Sequence, residues 1–72
     1  MTYKGGVDKY SMLPSSDIKV GDTYVATGAF AFTQESKTVQ VYAGDLLFAS
    51  GTETNGVITA DLKWTLVNTG YI

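Results

Sequence analysis

The sequence has no cysteine and no histidine among its 72 residues. Without cysteine no disulfide can form, and without either residue the thiolate and imidazole ligands of a structural zinc site are missing. A chain this short buries only about 60–65% of the surface that its unfolded form exposes, so it has little stability to spare. Association with other chains is the remaining means of stabilisation, and we therefore expect a homo-oligomer.

Arginine is also absent, and the five lysines are scattered singly against seven acidic residues. Binding to phosphate backbones needs clustered positive charge, and base recognition depends strongly on arginine. We therefore expect no nucleic-acid partner. No apolar run approaches the ~20 residues that a membrane-spanning helix needs, so we expect no membrane partner either.

The residues that usually carry catalysis are scarce. Without histidine and cysteine, a nucleophilic enzyme would have to pair serine or threonine with lysine, and the lysines lie in polar stretches. The acids Asp22 and Asp45 each follow a glycine, where aspartate typically hydrogen-bonds within its own turn. The chain also lacks the closely spaced acids of a calcium loop. The sequence predicts no enzymatic activity, no cofactor and no metal site.

Proline occurs once, and no segment sustains a helical period over three turns. Short runs rich in β-branched and aromatic residues alternate with turn signals, which predicts an all-β fold. We expect a small sandwich or partly closed barrel of five to six short antiparallel strands. The predicted strands are residues 22–32 with a bend or bulge at Gly28, and residues 39–42, 46–49, 57–59 and 63–67. The run 46–49 is continuously apolar, which suits a strand covered on both faces.

Three dipeptides mark the predicted turns: Gly21-Asp22, Gly44-Asp45 and Asn55-Gly56. Polar loops are expected at residues 33–37 and 50–56, and an irregular or 3₁₀ turn at residues 10–14, with Tyr10 and Leu13 facing the core. Residues 20–26 echo residues 43–49. Either a hairpin has been duplicated, or turn chemistry alone repeats the Gly-Asp pair.

Residues 1–9 are polar and contain two adjacent glycines, so they have little to bury and much backbone entropy to lose. We expect a flexible N-terminal arm there, or an edge strand ordered by a partner. Residues 10–72 form the single small β domain.

The aromatic residues are the most suggestive chemical group. Phe30, Phe32, Phe48 and Trp64 are expected mainly in the core, because a domain this small has few other large side chains. Tyrosine and tryptophan also suit interfaces and sugar stacking. The candidates for an interface or for ligand stacking are Tyr3, Tyr24, Tyr42, Trp64 and Tyr71.

Two parts of the sequence resemble the head-fibre and tail-fibre structural proteins of tailed bacteriophages. The first part is Tyr3-Lys-Gly5, Val7, Tyr10, Leu13-Pro14, Val20-Gly-Asp22 and Tyr24-Val25. The second part is Ala43-Gly-Asp-Leu-Leu47 and Trp64-Thr-Leu-Val67. The resemblance implies a virion surface protein, made in the host cytoplasm, that is often trimeric and anchors to a capsid, portal or tail protein.

Three hypotheses for the function follow. The first is a non-enzymatic virion structural protein, such as a head fibre, a capsid decoration or a tail-fibre module, that acts through oligomerisation and docking. The second is a receptor- or carbohydrate-binding module that uses Trp64 and tyrosines as a stacking platform. The third is a β domain of a non-viral surface protein, and genome context would separate it from the first.

Overall fold

The computed structural model describes residues 2–69, which form six strands and one short 3₁₀ turn. The structure confirms the predicted all-β fold and its sandwich-like arrangement. The strands are β1 (Thr2–Val7), β2 (Asp22–Ala26), β3 (Phe30–Gln34), β4 (Lys37–Val41), β5 (Leu46–Thr54) and β6 (Val57–Val67), and the 3₁₀ turn is Tyr10–Met12.

Two layers enclose the core. Strands β1, β2, β5 and β6 form a four-stranded sheet in the order β1-β2-β5-β6, and the β3–β4 hairpin forms the second sheet. The four-stranded sheet contributes Val7, Ala26, Leu47, Ala49 and Trp64 to the core, the hairpin contributes Phe32 and Val41, and the segment between β1 and β2 contributes Leu13 and Ile18.

Gly28 lies where the chain changes sheets. The sequence predicted one pattern over residues 22–32 with a bend at this glycine, and the structure has β2 and β3 on either side of it. A Cβ at Gly28 would lie 3.4 Å from the Asp8 Cβ, so the chain crosses close to the end of β1 at this point.

Residues 1–9 were expected to form an arm or an edge strand, and the described part, from Thr2, forms the edge strand β1. Its pairing partner is β2 of the same chain, in parallel register. This pairing corrects the expectation that all strands are antiparallel. A parallel neighbour requires a long crossover, which residues 8–21 supply with the 3₁₀ turn and two buried anchors, Leu13 and Ile18.

The β5–β6 hairpin is longer than the sequence indicated. Residues 50–56 were predicted as a loop, yet β5 continues to Thr54, and the two predicted strands after it are one strand, β6. The ladder shifts register around Gly51, whose φ is +152°, and β6 has its own irregular residue, Asp61, at φ +56°. These local distortions let pairing continue where the sequence suggested an interruption.

Candidate interaction surface

The two faces of the four-stranded sheet are covered differently. Side chains of residues paired on neighbouring strands share a face, and successive residues alternate between faces. One face carries Leu47, Ala49 and Trp64, which are buried in the core beneath the β3–β4 hairpin. The opposite face is called the outer face here.

The outer face consists of two rows of residues that cross all four strands. One row is Gly6, Val25, Leu46 and Val67, and the next is Tyr3, Thr23, Phe48 and Thr65.

Most of the large side chains in these rows are apolar and only partly covered. Val25, Leu46 and Phe48 are half-buried, Val67 is 39% exposed and Tyr3 is 63% exposed. Among residues 2–69, the partly buried hydrophobic side chains that pack against the core do not include Val25, Leu46 or Phe48. These side chains therefore lie outside the core cluster, and the strand register places them next to one another on the outer face.

A sheet with one face in water normally carries polar residues on that face. Here the central positions of the outer face are Val25, Leu46 and Phe48, with Thr23 buried beside them. Contiguous apolar surface of this kind marks interaction sites in proteins, whereas single exposed apolar residues do not.

The sequence anticipated part of this arrangement. The apolar run 46–49 predicted a strand covered on both faces, and the structure buries Leu47 and Ala49 in the core but leaves Leu46 and Phe48 half-buried. The second layer of the fold thus covers only one face of β5.

The edge of β6 is partly occupied from within the chain. The Gln34 side chain accepts a hydrogen bond from the Trp64 backbone N–H at 2.7 Å and donates one to the Trp64 carbonyl oxygen at 3.1 Å. Further along the strand, Ile58 donates its backbone N–H to the Ile18 carbonyl oxygen at 2.7 Å, and Lys19 bridges to Val57. At the other edge, β1 has β2 as its single neighbour in the sheet.

Charge is kept to the rim of the outer face. The two rows contain no acidic or basic side chain. Lys63 lies one row further along β6 and forms an ion pair with Glu35, with 3.3 Å between the Nζ and Oε1 atoms. Both side chains are about half exposed, so the pair stabilises the fold by at most about 1 kcal/mol.

Of the four aromatic candidates within residues 2–69, the structure brings Tyr24 and Trp64 into contact and places Tyr3 and Tyr42 elsewhere. Tyr3 lies on the outer face, whereas Tyr42 is exposed in the turn between β4 and β5. Tyr24 faces the core side and meets Trp64 edge-on, with ring centroids 5.6 Å apart. Trp64 is 4% exposed, so its ring is a core residue and is not available to stack on a ligand. Tyr71 lies outside the described residues.

The six turn candidates lie in turns or directly beside them, since Asp22 is the first residue of β2 and Asp45 immediately precedes β5. Gly21 and Gly44 both have φ of +92°, a conformation that glycine adopts at little cost, and each precedes a buried aspartate, Asp22 or Asp45. Asn55 and Gly56 have φ of +53° and +85° and join β5 to β6 in a two-residue hairpin.

Sequence reasoning missed the residues that make up most of the outer face. Val25, Leu46 and Val67 were not singled out, and Phe48 was assigned mainly to the core. The signal that could have found them is the run 46–49. It places apolar side chains on both faces of one strand, and a chain this short has few residues with which to bury both faces. A second aromatic contact was also missed: Tyr10 stacks on Phe32, with ring centroids 4.8 Å apart.

Residues 2–69 enclose no pocket. No three acidic side chains of this part lie together in a way that could hold a metal ion. Its single helical segment, the 3₁₀ turn, is far too short to cross a membrane.

Comparison of the chain with protein-family models, with curated proteins and with solved structures found no match.

Proposed function

We propose that the protein is a non-enzymatic structural module that acts by oligomerisation and by docking on a larger protein. The observation that carries this proposal is the apolar outer face, where Val25, Leu46, Phe48 and Val67 lie side by side without cover from the chain's own second layer. Burying such a face against another chain gains roughly 25 cal/mol for each Å² of apolar surface removed from water. That gain addresses the shortage of interior expected of a 72-residue domain.

The virion setting of the proposal comes from the sequence resemblance to phage head-fibre and tail-fibre proteins. In that setting the module is a head fibre, a capsid decoration or a tail-fibre component on the virion surface. Strand β1 supports docking, because its edge lies at the end of the sheet and carries exposed residues such as Tyr3 and Lys4. A segment of a capsid, portal or tail protein could extend the sheet by pairing with that edge.

Two measurements test this function. Analytical ultracentrifugation at micromolar concentration is expected to show an oligomer, and a folded monomer over the whole range would contradict self-association. Copurification with assembled particles, followed by localisation on them with a labelled antibody, tests docking. Absence of the chain from purified particles of its source would contradict the virion role.

A second candidate function is a receptor- or carbohydrate-binding module. Burial of Trp64 removes its proposed platform, but the exposed tyrosines Tyr3, Tyr10 and Tyr42 remain, and Tyr10 is held in place by its stack on Phe32. Glycan-array binding that is lost in Tyr10→Ala and retained in Trp64→Phe would favour this function. An array without any binding would count against it.

A further inference from the structure

We infer that the occupant of the outer face is a second copy of this chain, packed face to face as a symmetric dimer. This inference rests on the proposed self-association and adds the partner surface and its symmetry. Two sheets stacked in this way lie about 10 Å apart with their strands within about 30° of each other.

Charge is the first argument for a second copy. The protein carries a net charge of −2, so two copies repel each other unless they meet where acidic side chains are absent. The two rows of the outer face meet this condition, since they contain apolar residues, glycine, threonine and one tyrosine, and no carboxylate. A partner protein recognised through its charge would need oppositely charged side chains in these two rows, and the rows contain none.

The edges of the sheet supply the second argument. A ring of copies joined edge to edge would pair β1 of one copy with β6 of the next, since these are the two ends of the sheet. The backbone of β6 is already bonded to Gln34 at Trp64 and to Ile18 at Ile58. A second strand could not pair along the whole of β6 without displacing those bonds, which disfavours continuation of the sheet into a ring.

Symmetry follows from these two points. A contact that uses the same patch on both partners is isologous and closes as a two-fold dimer, whereas a trimer needs two different complementary patches on each copy. One uncharged face and one partly occupied edge favour the two-fold arrangement. The dimer therefore replaces the trimer that the phage-fibre resemblance implies.

The size of the face sets the strength of the contact. Four strands spaced about 4.8 Å apart, over the length of β2, the shortest of them, whose residues each rise about 3.3 Å, give a face of roughly 20 Å by 17 Å. Two such faces bury roughly 700 Å², which lies at the small, weak end of interface sizes. We therefore expect the dimer to dissociate with a constant in the micromolar range and not with a nanomolar one.

A matched pair of lysine substitutions tests the inference on the full chain. Val67 on the outer face and Met12 in the 3₁₀ turn beside the second sheet are exposed to similar extents, 39% and 51%. Sedimentation velocity from about 5 to about 500 µM is expected to show a monomer–dimer equilibrium for the natural sequence. Val67→Lys places two like charges in the contact and should weaken the dimer about tenfold or more, while Met12→Lys should leave it unchanged.

Two further measurements guard against a variant that fails to fold. Phe48→Thr keeps a residue suited to strands and should also weaken the dimer, with circular dichroism as the check on the fold. Because the chain contains no cysteine, Thr65→Cys introduces a single thiol on the outer face and Thr38→Cys a control thiol on β4. Maleimide labelling of Thr65→Cys should slow as protein concentration rises, and labelling of Thr38→Cys should not.

The possible results distinguish face-to-face packing from the proposed self-association on which it rests. A dimer that responds to Val67→Lys and Phe48→Thr but not to Met12→Lys supports face-to-face packing. A trimer, or any oligomer indifferent to Val67→Lys, overturns the packing and leaves self-association standing. A folded monomer at the highest concentration overturns both.

Discussion

Asp22 and Asp45 perform the same task in two turns that have the same geometry. The Asp22 Oδ2 atom accepts the backbone N–H of Lys19 at 3.0 Å, and the Asp45 Oδ2 atom accepts that of Tyr42 at 2.9 Å. In each turn the aspartate also donates its own backbone N–H, at 3.0 Å, to a carbonyl oxygen: Asp22 to that of Lys19, and Asp45 to that of Tyr42. Both carboxylates are buried. Asp22 begins β2 and Asp45 immediately precedes β5, and these two strands pair with each other.

The equivalence extends from the turns into the strands. Gly21 donates its N–H to the Ala49 carbonyl oxygen at 3.0 Å, and Gly44 donates its N–H to that of Ala26 at 2.7 Å. Tyr24 pairs with Leu47 midway between these bonds, so the two segments are related by a local two-fold axis at that pair. The sequence echo between residues 20–26 and 43–49 is therefore a repeated turn and strand whose copies pair with each other.

Replacing either aspartate by alanine should destabilise the fold to a similar degree. Each change removes the acceptor of a backbone N–H in a buried turn, which costs about 1–3 kcal/mol of unfolding free energy. Urea denaturation of Asp22→Ala and Asp45→Ala measures the effect. The exposed acid Glu53 is the control, and Glu53→Ala should change stability by less than about 0.5 kcal/mol. A loss at one aspartate alone would contradict the equivalence of the turns.

Gln34 connects the hairpin to the four-stranded sheet, and its removal should loosen the two layers. Gln34→Ala leaves the N–H and C=O groups of Trp64 without their side-chain partner, which costs about 1–3 kcal/mol. Hydrogen exchange should show faster exchange at the Trp64 amide. Gln40→Ala is the control, because the Gln40 side chain donates to the carbonyl oxygens of Phe30 and Val41 within its own hairpin and makes no bond to the four-stranded sheet. If the two changes lower the free energy of unfolding equally, the hydrogen bonds between Gln34 and Trp64 are not a particular source of stability.

Gly51 is required for steric reasons as well as conformational ones. A Cβ there would lie 2.9 Å from the carbonyl oxygens of Ala60 and Asp61, whereas a Cβ at Gly5 would meet nothing within 4 Å. Both glycines have positive φ, at +152° and +135°. Gly5→Ala should cost about 1 kcal/mol from backbone strain, and Gly51→Ala should cost at least about 2 kcal/mol because the clash is added. Thermal unfolding of the two variants provides the comparison, and similar losses would argue against a tight bulge.

Tyr24 should make the fold less stable at high pH. Burial, and to a smaller extent the charge of Asp22, raises the pKa of the Tyr24 hydroxyl above its ordinary value of 10.0. The folded state thus holds the proton more tightly than the unfolded state, so stability is intact below pH 10 and falls as pH rises through the folded-state pKa.

The test compares unfolding free energies at pH 8 and at about pH 11. Tyr24→Phe cannot ionise at this position and should lose less stability over that interval than the natural sequence. Tyr42→Phe, at an exposed tyrosine, is the control and should behave like the natural sequence. A pH dependence that Tyr24→Phe leaves unchanged would place the effect at other groups.

The sequence alone determined the all-β class and the turns at Gly21-Asp22, Gly44-Asp45 and Asn55-Gly56, and it predicted an irregular or 3₁₀ turn over residues 10–14. These follow from local chemistry: glycine at positive φ, aspartate capping its own turn, and β-branched runs between turns. It also indicated that Trp64 belongs to the core, since few other side chains are large enough to fill it.

Tertiary structure decided the rest. Whether Phe48 lies inside or outside depends on which sheet face the β3–β4 hairpin covers, and strand period alone cannot say which face that is. The parallel pairing of β1 depends on β2 having an open edge, and the joining of the predicted strands 57–59 and 63–67 depends on partners in β5. These are contacts between residues distant along the chain, so local preference does not encode them, and they place Val25, Leu46 and Val67 on the face opposite the β3–β4 hairpin.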